Sequence, residues 1–244
     1  MTLSEIQVLH YSHIERIGEM CARRDEAGRA WYGGEPMLRI DHVVFGVRDL
    51  SRAATMLWER FGLEAQSGGS HAEAGTANMI TPVGNDQFIE LLTVSDPTSR
   101  HPIVPWLSRQ LTQGDRLLQV AIEPPADIEA TASRLGEPIF DVHRVSSDGR
   151  RVDFRLTGIA GAWGPDILPF FVVCSGGREW RCGYGPAHHR REPRGFLWAE
   201  PGSDPARVCG QLGEHSLPLR LLPGRPGLTA VAIDIDGEEA VLRL

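Results

Sequence analysis

One element order, a strand followed by a helix and then two or three strands, recurs along these 244 residues and limits the folds open to the chain more than its composition does. Leu38–Val47 is rich in branched residues and is predicted to form a mostly buried strand. Asp49 stands where a carboxylate caps free N–H groups, Leu50–Phe61 has helical periodicity, and Gly62 supplies a left-handed stop. Ala77–Pro82 and Gln87–Val94 follow as strands around a turn at Val83-Gly84-Asn85-Asp86. The order returns with a strand at Arg116–Ile122 and a helix at Ala126–Leu135 closed by Gly136. Strands at Ile139–Val145, Arg151–Leu156 and Leu168–Cys174 complete it, with a turn at Asp148-Gly149. A shorter version runs through Phe196–Ala199, a helix at Asp204–Leu212, then Leu217–Leu221, Leu228–Ile235 and Glu239–Leu244.

These repeats divide the chain into an N-terminal arm (1–37), a first unit with its linker (38–115), a second with a long loop (116–194) and a third, shorter one (195–244). In the arm, Ile6, Leu9, Ile14, Ile17 and Met20 follow rough helical spacing over Leu3–Ala30. The loop Ser175–Arg194 is rich in Gly, Arg and His without periodicity, as functional or solvated loops are.

Composition removes several function classes. All 25 basic residues are arginine, so Schiff-base and phosphate-loop lysines are excluded. The net charge of −7 and the lack of a basic stripe argue against a nucleic-acid surface. The four cysteines show no CxxC spacing, and nothing reads as a zinc knuckle or a disulfide framework. No apolar run reaches the length of a membrane span and no signal-peptide core stands near residue 20, so a cytoplasmic protein is expected.

Five short segments carry a resemblance. Ile40-Asp41-His42-Val43-Val44-Phe45-Gly46-Val47-Arg48-Asp49-Leu50 resembles the opening of vicinal-oxygen-chelate modules. Gly68-Gly69-Ser70-His71, Gly75-Thr76-Ala77-Asn78 and Phe88-Ile89-Glu90-Leu91 are similar to its glyoxalase-like subgroup, as is Leu168-Pro169-Phe170-Phe171 in the second unit. The resemblance implies an α+β fold of βαβββ modules curled around a pocket that takes a small-molecule ligand, here with a helical arm before it. It implies that the first and last strands of each module supply metal ligands. His42 and Glu90 would come from the first unit and Gln119 from the second, a set compatible with Zn, Fe, Ni or Mn. Phe170 or Phe171 falls where a fourth ligand would stand, and neither can ligate.

Each candidate has a plainer alternative. His42 on a buried strand could be a satisfied core group, and Glu90 a solvent-facing edge residue. His71 is either a surface histidine or a group over the pocket mouth. Asn78 either locks the Gly75-Thr76 loop through backbone hydrogen bonds or touches substrate. His188 and His189 belong to a lid or to a solvated basic loop, and Trp163, Phe170, Phe171 and Trp180 to core or pocket wall. Two functions follow. One is a lyase or isomerase that moves a proton beside an oxygenated carbon, with His42 and Glu90 catalytic and His71, Asn78, Gln119, Phe170 and Phe171 around substrate. The other is a metal-free binding or drug-sequestering protein of the same fold. A scaffold that forms a homodimer through its third unit is a weaker third, and an extradiol dioxygenase is disfavoured because the second unit offers no matching histidine.

Overall fold

The computed structural model describes residues 38–125, 127–145, 149 and 151–244. The N-terminal arm lies outside the described residues, as does Asp148. β1 (Arg39–Gly46), α1 (Leu50–Phe61), β2 (Gln66–His71), β3 (Thr76–Gly84) and β4 (Gln87–Val94) form the first βαβββ run. β5 (Arg116–Glu123), α3 (Ile128–Leu135), β6 (Phe140–Val145), β7 (Arg151–Thr157) and β8 (Phe170–Cys174) form the second. Two further helices, α2 (Ile103–Gln110) and α4 (Ile159–Ala162), stand between the runs and between β7 and β8.

The two runs are built alike because their local signals are alike. Asp49 accepts a hydrogen bond from the Arg52 amide at 3.0 Å, and Asp127 accepts one from Ala130 at 3.1 Å. Each caps the N–H groups that a first helical turn leaves unpaired. Gly62 and Gly136 end the helices in the left-handed conformation. Ala53, Leu57 and Phe61, four residues apart, give α1 its buried face.

The eight strands close into a barrel of order β1-β4-β3-β2-β6-β7-β8-β5. Within each run the first strand pairs in parallel with the last, β1 with β4 and β5 with β8. The runs meet at two seams, antiparallel β1–β5 and antiparallel β2–β6. The remaining strands, β9 (Pro193–Pro201), β10 (Leu228–Ile235) and β11 (Glu238–Arg243), make a separate antiparallel sheet with α5 (Pro205–Leu212). Its Val231, Ile233 and Ile235 share one apolar core with Ile40, Val43, Phe45 and Ile122 of the barrel and Leu57 of α1. Gln87 fastens this join. Its Nε2 donates to the Ile40 carbonyl and its Oε1 accepts from the Phe196 amide, both at 2.9 Å.

One expectation changes and two elements are added. Leu217–Leu221 is no strand; only an isolated bridge joins Leu219 to Ala199. Gly68 and Gly69 lie in β2, a strand the local sequence pattern does not announce. A Cβ on Gly68 would stand 2.2 Å from Asn78 Oδ1, so close strand approach and not turn freedom explains that glycine. The helix α2 was hidden by Pro102 and Pro105, which sit at its cap and first turn, where a missing N–H costs no helical bond.

Candidate functional site

Near its start β1 carries one residue more than β5 opposite it, a shift that β5 takes back at Leu118. Ile40 pairs with Ile122 and His42 with Ala121, leaving Asp41 as a bulge. A regular strand would send Asp41 and His42 to opposite faces. The bulge lets the Asp41 carboxylate reach His42 Nδ1 at 2.6 Å. An ionised carboxylate only accepts, so Nδ1 donates and Nε2 of the neutral ring keeps its lone pair. Nε2 faces Glu90 Oε2 at 3.8 Å, beyond hydrogen-bond reach, so no internal partner occupies it. The ring stacks on Phe88 with centroids 4.4 Å apart and meets the edge of Phe170 at 5.8 Å. His42 is thus 7% exposed, walled by aromatics and flanked by two carboxylates.

Glu90 reaches this place because parallel β1–β4 pairing puts it opposite Val44, one same-face step from His42. Its Oε1 accepts from Asn78 Nδ2 at 2.6 Å. Asn78 therefore holds the carboxylate rather than the Gly75-Thr76 loop. His71, at the end of β2, bonds through Nδ1 to Thr76 Oγ1 at 2.9 Å. Burial pushes its pKa down, the Glu90 charge opposes that, and Arg144 and His143 reinforce it. Asn78 Oδ1 and Arg144 Nε are buried without a partner, which marks polar capacity for a ligand group.

The glyoxalase-like domain family matches residues 40–197, which is more than half of the chain. The chain belongs to that family. A hypothetical protein from Staphylococcus aureus shares the fold, with a TM-score of 0.59 at 14% identity over 84% of this chain and 98% of that one. Methylmalonyl-CoA epimerase from Streptomyces coelicolor matches over 57% of this chain and 99% of its own, at 20% identity and a TM-score of 0.43. The Mycobacterium tuberculosis epimerase matches over 59% of this chain and 91% of its own, at 18% identity and a TM-score of 0.42. No curated protein matches the chain at a significant level.

For a glyoxalase-like domain, the remaining candidates divide between the two faces of the barrel wall. Gln119 pairs with Val44 on the β1–β5 seam, and its side-chain amide donates to the Ala162 carbonyl at 2.5 Å. Phe170 joins the apolar cluster of Val44, Leu92 and Trp106 and touches His42, whereas Phe171 turns away into the core beneath the helices. Of the four expected positions, His42 and Glu90 approach one another, Gln119 donates through Nε2 to the Ala162 carbonyl and keeps Oε1 as the atom a metal would take, and Phe170 offers no donor. Among the described residues no three His, Cys, Asp or Glu side chains converge on a point, and a catalytic zinc centre uses three protein ligands.

The segment 175–192 is a docked strap and not a solvated loop. Arg178 pairs with Asp86 at 2.7 Å, and Arg181 Nη1 with Glu123 at 2.7 Å. Burial works to raise the Glu123 pKa, but Arg181 and Arg39 outweigh it and hold the carboxyl below its usual range. Further along, the His188 amide donates to Glu64 at 2.6 Å and His189 Nδ1 accepts from the Glu64 amide at 2.9 Å. The exposed His188 side chain and half-buried His189 are thus fixed at α1's end. The strap also brings Cys182 near Asp41, Glu90 and Arg144; burial pushes that thiol up to about 12, which leaves it unreactive. Gly183 is where strap and barrel meet. A Cβ there would stand 2.2 Å from the Asp86 carbonyl oxygen and 2.7 Å from that of Gln87. Gly183→Ala is expected to cost about 2 kcal/mol of stability and to expose the strap to proteolysis. An unchanged melting temperature and cleavage pattern would mean that the strap does not seat there.

No described helix is long and apolar enough to cross a membrane. Asp41 as the partner of His42, Arg144 and the docking of the strap were absent from the sequence reading. An acid beside the histidine was the only signal for the first, and nothing in the chain announces the bulge that makes it useful.

Proposed function

We propose that the protein is a small-molecule enzyme of the isomerase or lyase type, in which His42 moves a proton on a carbon beside a carbonyl or other oxygenated carbon. The observation that carries this reading is the unshared Nε2 of His42, set by Asp41 on the other ring nitrogen. Nε2 takes the proton, and the substrate keeps the electron pair as an enolate. The imidazolium so formed lies between the Asp41 and Glu90 carboxylates, whose charges stabilise it until the proton is returned. Asn78 holds Glu90 in place during this cycle. No step of this cycle is routed through a metal.

The test is proton–deuterium exchange followed by NMR, with a panel of hydroxyketones, 2-oxo acids and acyl thioesters in deuterated water. His42→Ala is expected to lower exchange at least 100-fold, within the usual range for general acid–base catalysis, with the fold intact by circular dichroism. Equal exchange by wild type and variant would refute the role. A second reading, sequestration of an apolar ligand without chemistry, is favoured by the Phe88 and Phe170 walls against His42. It would be supported by saturable binding of panel compounds with no exchange at all.

A further inference from the structure

A cavity of about 310 Å³, which His42 does not line, lies between α2, the α4–β8 loop and the segment before β10. At roughly 30 Å³ per water molecule it has room for a ligand well beyond a single ion. Arg109, Arg116 and Arg225 line it, and no carboxylate does. The chain carries a net charge of −7, so three guanidinium groups on one uncompensated surface run against its overall balance. Arg109 and Arg225 are exposed and have no ion pair among the described residues. Arg116 is fixed in the wall, donating through Nη1 to Gln110 Oε1 at 2.9 Å and through Nη2 to the Pro226 carbonyl at 2.5 Å. Its burial and the charge of Arg225 lower its pKa, as crowded cations require.

The other wall is aromatic. Trp106 and Trp163 lie with ring centroids 6.4 Å apart, tilted by 32°, beside Ile167 and Pro226. Trp106 is 4% exposed, yet its indole N–H is buried without an acceptor. Such a donor is costly to leave unpaired, and it belongs to a residue that lines this cavity.

We propose that this cavity is a second ligand site, for a small molecule that joins a phosphate- or carboxylate-type oxyanion to a flat apolar body. The arginines take the anion, and the two indoles take the body. Phe170, which touches His42, shares an apolar cluster with Trp106 and Trp163, so the two sites have a wall in common.

Calorimetric titration of the full chain with phenyl phosphate, and separately with inorganic phosphate, tests the proposal. Phenyl phosphate is expected to bind at least tenfold more tightly than phosphate and to weaken as salt is raised. The double variant Arg109→Gln/Arg225→Gln changes only exposed side chains and should lose at least tenfold. Trp106→Phe, which removes the N–H and keeps the ring, should weaken binding as well, and His42→Ala should not. Absence of phenyl phosphate binding at millimolar concentration would overturn the proposal. So would equal binding by the double variant, or binding abolished by His42→Ala, which would put the anion inside the barrel.

Discussion

Phe171→Ala is expected to lower the folding free energy by about 4 kcal/mol, read from urea unfolding at neutral pH. Phe171 is fully buried, in the core where the barrel's outer face meets the helices, with the Arg134 guanidinium 5.7 Å over its ring. Removing a buried phenyl group loses its transfer free energy and leaves a cavity that packed neighbours close only in part. Phe170, one residue earlier, points the other way, toward His42, so truncation there should disturb ligand contact as well as packing. A Phe171→Ala protein within 1 kcal/mol of wild type would show that this ring is not core.

Acidification is expected to destabilise the fold through His215, by about 3 kcal/mol between pH 6.5 and 4. Burial alone lowers its pKa from the ordinary 6.5 to about 4. It is 8% exposed, its Nδ1 accepts from the Leu217 amide at 3.1 Å, and its Nε2 has no partner. The sign follows from proton counting. Above pH 6.5 the ring is neutral folded and unfolded, and the stabilisation is whole. As pH falls toward 4 the unfolded chain takes up a proton that the native state refuses, so stability declines at up to about 1.4 kcal/mol per pH unit. His215→Asn keeps an acceptor for Leu217 and cannot titrate. Its unfolding free energy, compared with wild type at pH 7 and at pH 4.5, should show the smaller decline. Parallel curves for the two proteins would exclude this histidine as the source.

Much of the fold was legible in local signals, because the physics there is local. Asp49 with Gly62, and Asp127 with Gly136, bracket their helices wherever the chain then goes. The turn at Asn85-Asp86 is a two-residue hairpin with both residues at positive φ, as the twist of paired strands demands. What the sequence hid depends on partners distant in the chain. Gly68 is a strand residue only because Asn78 crosses it, and the Leu217 stretch is apolar because it is buried, not because it pairs. The site divides in the same way. His42 and Glu90 stood out by resemblance, but Asp41 acquires its place from a mismatch between β1 and β5 that no single segment records. Phe170 and Phe171 were indistinguishable as neighbours until the pairing of β8 with β5 assigned each a face.

The barrel is closed unequally. Among the described residues, seven pairs join β1 to β5 and one pair, Ser70 with Val145, joins β2 to β6. That second seam is reinforced mainly by Arg144, whose Nη1 donates to the Gly68 carbonyl at 2.9 Å. Among the described residues the wall is thus like a cuff sewn along β1–β5 and tacked at the far side, next to His71.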